Sequence, residues 1–133
     1  MQREAKITMT IHKSAEDYLE TILMLQERIG KVRSIDVVNE LGFTKASVSI
    51  AMKKLRENGY IAVDGEGNLE LLEPGREVAE RIYSRHRLLK QVLMQLGVSE
   101  ETAAKDACNM EHILSEETLE KIREHAHLVP PQQ

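Results

Sequence analysis

Apolar residues recur at helical spacing from Ser14 onward. Leu19, Ile22, Leu23, Gln26 and Ile29 form one stripe, with Ser14 in position to cap the helix and Gly30-Lys31 to end it. Asp17 and Glu20 fall on the other side, with Met24 and Arg28. Ser34 is placed to cap a short helix, Ile35 to Leu41, that Gly42 ends. Thr44 is placed to cap a longer one, from Lys45 to about Asn58, closed by Gly59. This longer helix turns Val48, Ala51, Met52 and Leu55 inward. A short helix, a tight turn containing Gly and a longer helix make a helix-turn-helix. Tyr60-Ile61-Ala62-Val63 and Leu69-Glu70-Leu71-Leu72 read as two strands, and Asp64-Gly65-Glu66-Gly67-Asn68 between them is turn chemistry. A helix-turn-helix followed by a hairpin is a winged helix.

The rest of the pattern is helical. Pro74-Gly75 opens a long helix to about Leu96, with Val78, Ile82, Leu89, Val92, Leu93 and Leu96 on one stripe and His86 on its flank. Gly97 ends it, and Ser99 begins a helix that carries Cys108, Glu111 and His112. Ser115 is placed to cap a last helix, Glu116 to about His125, and Pro130-Pro131 read as a frayed tail. The expected fold is mostly α with a small β-wing: a winged helix-turn-helix over residues 1–73, then a helical domain over 74–133. Three helices cannot bury these apolar faces alone, which points to a symmetric dimer packed across a two-fold axis. Paired helix-turn-helix units read half-sites about one duplex turn, roughly 34 Å, apart.

Composition narrows the function. With 22 acidic against 18 basic residues the formal charge is −4, which excludes a strongly basic, constitutive nucleic-acid binder but leaves room for a local basic patch. One Phe, three Tyr and no Trp argue against a base-stacking single-strand reader. A single Cys excludes an internal disulfide framework and fits a reducing cytoplasm. No apolar run is long enough to span a bilayer, and Met1 to Lys6 lead into no signal-peptide core. The expectation is a cytoplasmic chain with no membrane association. No H-E-x-x-H, nucleophile elbow or phosphate loop appears, so a metalloenzyme is disfavoured.

Two surfaces carry chemistry. The outer face of the second helix-turn-helix helix presents Ala46, Ser49, Ile50 and Lys53, with Ser47 and Lys54 on its flank. Short side chains let a helix backbone enter a major groove, Ser bonds base edges or phosphates, and an exposed Ile suits a thymine methyl. The wing acids Asp64, Glu66 and Glu70 make a poor phosphate surface. The expected DNA-facing set is therefore Lys31, Arg33, Thr44, Lys45, Ala46, Ser47, Ser49, Ile50, Lys53 and Lys54. The competing reading is a helix that contacts protein.

The second surface is Cys108-Asn109-Met110-Glu111-His112. Positions i, i+3 and i+4 share a helix face, so a thiol, a carboxylate and an imidazole stand side by side, on a face continued back by Ala104 and Ala107. A carboxylate on an apolar face needs a partner, and a divalent ion suits this donor set. The competing reading makes Cys108 a small core residue and leaves Glu111 and His112 at a frayed helix end. Asp17 likewise fits a capping-box-like start at Ser14-Ala15-Glu16-Asp17, and His86 alone fits a core histidine.

The order of these parts resembles the diphtheria-toxin-repressor family, most closely its short manganese-transport-regulator branch. The resemblance rests on Glu16-Asp17-Tyr18-Leu19-Glu20, on Tyr83-Ser84-Arg85-His86-Arg87-Leu88-Leu89 and on Cys108 to Ser115, and spans Ser14 to about His125. It implies a metal-activated, DNA-binding transcriptional repressor of metal-uptake genes, acting as a homodimer on a pseudo-palindromic operator. Its metal ligands would be Asp17, Glu20, His86, Glu111 and His112, with Cys108 where the manganese branch has Glu. The iron branch has Cys there but Met at the place of Asp17, so this chain mixes the two patterns. Lys90 and Ala104 replace a Glu and a His of the iron branch's ancillary site. His12, His125 and His127 fall outside the implied set. Carboxylates favour Mn²⁺ and a thiolate pulls toward Fe²⁺, so the cofactor expected is Mn²⁺ or Fe²⁺, with Zn²⁺ or Co²⁺ able to substitute in vitro. The alternative function is a winged-helix factor sensing redox through Cys108.

Overall fold

The structure, a computed structural model, describes residues 2–126, with side chains described from residue 13. The tail reading at Pro130-Pro131, the reading of His127 and the side chain of His12 fall outside the described residues. The element order is α1 (Gln2–Ile29), α2 (Ser34–Leu41), α3 (Lys45–Glu57), β1 (Ile61–Val63), β2 (Leu69–Leu71), α4 (Glu73–Gln95), α5 (Glu100–Met110) and α6 (Glu116–Ala126). Packing divides the chain into two units, Met1–Glu80 and Arg81–Gln133, and the division falls within α4.

In the first unit, α1 starts well before the expected Ser14. No Gly or Pro interrupts the chain between Gln2 and Ile29, so Ser14 is a helix-interior residue and does not cap. Asp17 then lies in mid-helix, where the capping explanation for it fails. Leu19, Ile22 and Leu23 are buried as the spacing predicts, and Tyr18 and Leu25 join them. Ile29 does not: it is 50% exposed in the last turn, next to Gly30 at φ 85°. Gln26 donates from Nε2 to the Leu69 carbonyl at 3.3 Å, which ties α1 to β2.

The helix-turn-helix forms where its caps require. Thr44 Oγ1 accepts from the Ser47 N–H at 3.1 Å and starts α3. Gly42, at φ 72°, ends α2. The cap of α2 is shifted by one residue: Arg33 is the N-cap, Ser34 the first helical residue, and the Asp36 carboxylate accepts from the Arg33 N–H at 2.9 Å. An acid three residues into a helix satisfies an orphan donor better than the shorter Ser34 hydroxyl. Val48, Met52 and Leu55 of α3 are buried.

The wing pairs β1 and β2 antiparallel, Ile61 opposite Leu71, Ala62 opposite Glu70 and Val63 opposite Leu69. Asp64 organises the turn by accepting from the Glu66 and Asn68 N–H groups, both at 2.8 Å, and from Asn68 Nδ2 at 3.0 Å. Gly75, in the first turn of α4, is needed for space: a Cβ there would lie 2.1 Å from the Tyr60 carbonyl oxygen.

The second unit is built on Leu89, Ala107 and Leu119, one from each helix, with Met110, Leu114 and Ile122 packed around them. Ser99 Oγ accepts from the Thr102 N–H at 3.3 Å and Ser115 Oγ from the Thr118 N–H at 3.1 Å, so both expected caps form. The long stripe of α4 is buried only in part. Ile82 and Leu89 are inside, whereas Leu96 is 76% exposed and lines a groove with Val92, Ile122 and Ala126.

Candidate metal centre and nucleic-acid interface

The residue that organises the second unit's chemistry is Glu111. Helix α5 ends at Met110, and Glu111 is its C-cap, with the backbone still near helical values and its N–H on the Ala107 carbonyl at 3.0 Å. The buried line of α5 therefore runs Ala103, Ala107, Glu111, at four-residue intervals, and not through Ala104. Glu111 is fully buried, and Cys108 is exposed. The expected side-by-side triplet is thus divided: the carboxylate points inward, His112 is half-buried and the thiol lies outside.

His86 reaches Glu111 from α4. Its Nδ1 lies 3.6 Å from Glu111 Oε1, with the His86 side chain 13% exposed. That separation is too long for a hydrogen bond. It is close to the ~3.4 Å spacing of two donors that share one tetrahedral ion at bond lengths near 2.1 Å. Carboxylate and imidazole, buried at this separation, are a donor pair that fits a divalent ion. In the first unit, Asp17 and Glu20 lie one turn apart on α1, and Glu20 is only 5% exposed. A buried glutamate on a helix otherwise occupied by Leu19, Ile22 and Leu23 is costly without a partner of opposite charge.

One residue of this region escaped the sequence reading. Arg85, next to His86, donates from Nη1 to the Glu111 carbonyl at 3.2 Å and pairs through Nη2 with the Glu116 carboxylate. Its place in the Tyr83 to Leu89 stretch was the only signal, and a surface arginine reads the same way in sequence.

The other surface is the outer face of α3. Thr44, Lys45, Ala46, Ser47, Ser49, Lys53 and Lys54 are all exposed, and Ile50 is 59% exposed, a large apolar side chain that packing does not use. Lys31 is exposed as well. Arg33 is exposed but engaged: its guanidinium donates to the Glu66 carbonyl in the wing turn. It braces the wing, so a phosphate at this position would have to share that guanidinium. Among the described residues, no helix is long and apolar enough to cross a membrane.

Two family models match, end to end. Residues 10–69 match the iron dependent repressor N-terminal DNA binding domain, and residues 72–127 match the iron dependent repressor metal binding and dimerisation domain. An uncharacterised HTH-type transcriptional regulator of Methanocaldococcus jannaschii is 34% identical over 113 residues, 84% of this chain and 90% of that protein. The HTH-type transcriptional regulator MntR of Geobacillus kaustophilus is 36% identical over 109 residues, 82% of this chain and 77% of that one. Among solved structures, a manganese-dependent transcriptional repressor in complex with manganese is similar at 29% identity and a TM-score of 0.76, over 84% of this chain and 51% of that chain. The manganese regulator SloR is similar at 26% identity and a TM-score of 0.74, over 85% and 53%. The chain spans about half the length of these solved chains.

Proposed function

Because the chain belongs to the iron-dependent repressor family, we propose that it is a metal-activated DNA-binding transcriptional repressor of metal-uptake genes, and not an enzyme. The observation that carries the metal half is the fully buried Glu111 carboxylate at 3.6 Å from His86. The DNA half is carried by the exposed, small and basic outer face of α3. The cofactor is Mn²⁺ or Fe²⁺, in line with the manganese named for the similar solved structures and the iron named for the matching family. Zn²⁺ or Co²⁺ would substitute in vitro. Residues 1–73 are the DNA-binding domain and 74–133 the metal-binding and dimerisation domain. The redox reading through Cys108 finds no support in these relatives.

The ligand set comprises Asp17 and Glu20 of α1, His86 of α4, and Cys108, Glu111 and His112 around the end of α5. Cys108, exposed, would close the set from its rim. Bound there, the ion supplies positive charge to a cluster rich in carboxylates. Without it, Asp17, Glu20 and Glu111 repel one another and leave the DNA-reading module loosely tied to the dimer. With it, the same side chains hold α1 to α4 and α5. This fixes the separation of the two α3 helices in a homodimer and removes an entropic cost of binding a pseudo-palindromic operator. Moving the active state from a minor to a dominant population requires about 5.5 kcal/mol of differential binding, within the reach of several metal–ligand bonds. On DNA, Lys31, Lys45, Lys53 and Lys54 meet phosphates, with Arg33 and Thr44 beside them. Ala46, Ser47, Ser49 and Ile50 face the groove. The setting is cytoplasmic and free of membrane.

The test uses duplex DNA recovered by in-vitro selection with the protein and Mn²⁺. Glu111→Gln is expected to abolish the Mn²⁺-dependent rise in fluorescence anisotropy of that DNA while the protein stays folded. Metal dependence equal to that of the parent protein would refute the site.

A further inference from the structure

We propose that Arg85 is the positioning residue of the metal centre, holding the end of α5 so that Glu111 presents its carboxylate correctly. The inference rests on the reading of Glu111 as a ligand. The last carbonyls of an α-helix have no partner within the helix. At the end of α5 one of them belongs to Glu111 itself, and Arg85 Nη1 donates to it at 3.2 Å. The other arm of the same guanidinium pairs with Glu116 in the first turn of α6. The Glu111 N–H is already held by Ala107 at 3.0 Å. The backbone of Glu111 is therefore fixed on both sides, and its side chain departs from a defined point. Arg85 also precedes His86 in α4, so one fork joins the segments that carry His86, Glu111 and His112. The side chain is only 14% exposed, whereas that of Arg76, earlier in α4, is 48% exposed. Lysine cannot replace it, because an ammonium lacks two rigid, diverging donors.

The sign of the effect separates positioning from electrostatics. Arg85 is a cation beside a cation site, so charge alone predicts that its removal tightens metal binding. Positioning predicts the opposite, and removing the outer partners of ligands typically weakens metal affinity about 10–100-fold. The experiment is Mn²⁺ binding to the full chain, followed by the electron paramagnetic resonance signal of free Mn²⁺, for the parent, Arg85→Lys, Arg85→Gln and Glu111→Gln. The Co²⁺ visible spectrum reports ligand geometry in parallel. Both Arg85 variants are expected to lose about 10–100-fold in affinity and to change the Co²⁺ band shape. Unchanged or tighter binding in them, with binding lost in Glu111→Gln, overturns this inference and leaves the site standing. Unchanged binding in Glu111→Gln overturns the site and this inference with it. If the Arg85 variants do not fold, Glu116→Gln, at a well-exposed position, releases one arm. Its loss of Mn²⁺ affinity is expected to persist at about 1 M salt, where charge effects are screened within ~3 Å. A loss that vanishes there overturns the proposal.

Discussion

Gly75→Ala tests whether the first turn of α4 is seated on the wing as closely as the structure has it. The added Cβ would stand 2.1 Å from the Tyr60 carbonyl oxygen and 3.0 Å from its carbon. Relief requires the helix turn and the strand end to separate by about 1 Å, a small-to-large strain that costs roughly 1–3 kcal/mol. The same carbonyl accepts from the Leu72 N–H at 2.9 Å, closing the hairpin. Weakening that bond adds about 0.5–1.5 kcal/mol. The better helix propensity of alanine returns nearly 1 kcal/mol. The net loss is about 1–3 kcal/mol, or roughly 4–11 °C in Tm for a chain of this size. Circular dichroism melts at 222 nm, in the presence of a chelator, read it directly. Gly65→Ala is the control, since nothing lies within 4 Å of its Cβ and its φ is not positive. A Gly75→Ala protein that melts within about 2 °C of the parent would refute the close approach.

Two further outcomes are expected. Lys53→Ala and Lys54→Ala, both at exposed positions of α3, should leave the melt unchanged. For every phosphate no longer neutralised, the slope of log affinity against log salt should shrink by about 0.9, and an unaltered slope in both would remove these lysines from the DNA surface. Asp64→Asn should weaken the wing. The backbone and side-chain donors of Asn68 hold the Asp64 carboxyl below its ordinary range. A depressed folded value stabilises the native state above the ordinary carboxylate range and loses that effect as pH falls through the folded value. The difference in Tm between parent and variant should therefore be full at neutral pH and fade below pH 3.8, the ordinary value. A difference that is constant down to pH 2 or lower, about two units below the ordinary value, would contradict the assignment.

The first unit was legible where local chemistry decides structure. Thr44 caps and Gly42 and Gly59 terminate, and each acts within one turn of its own position. Where two residues compete for one role, the pattern named the wrong one. Ser34 yielded to Arg33 and Asp36 because a carboxylate three residues on is the better acceptor. Ser14 failed as a cap because nothing upstream stops the helix. Ile29 looked inward on a helical wheel, yet the chain turns at Gly30 before anything can cover it.

The chemistry was legible in kind but not in direction. Spacing put Cys108, Glu111 and His112 on one face, which assumes that the helix continues past His112. It ends at Met110, and the four-residue interval from Ala103 sends Glu111 inward and leaves Cys108 outside. His86 was an ambiguous histidine until its ring was seen beside Glu111. Arg85 carried no signal beyond its place in the Tyr83 to Leu89 stretch, because a side chain that bonds a carbonyl 26 residues away leaves no periodic trace.

The central claim is best tested by anomalous scattering from crystals of the protein soaked in Mn²⁺. The account predicts one strong peak within bonding distance of both the Glu111 carboxylate and the His86 ring. Density confined to surface acids such as Glu117 or Glu124, with Glu111 and His86 touching no ion, would contradict it.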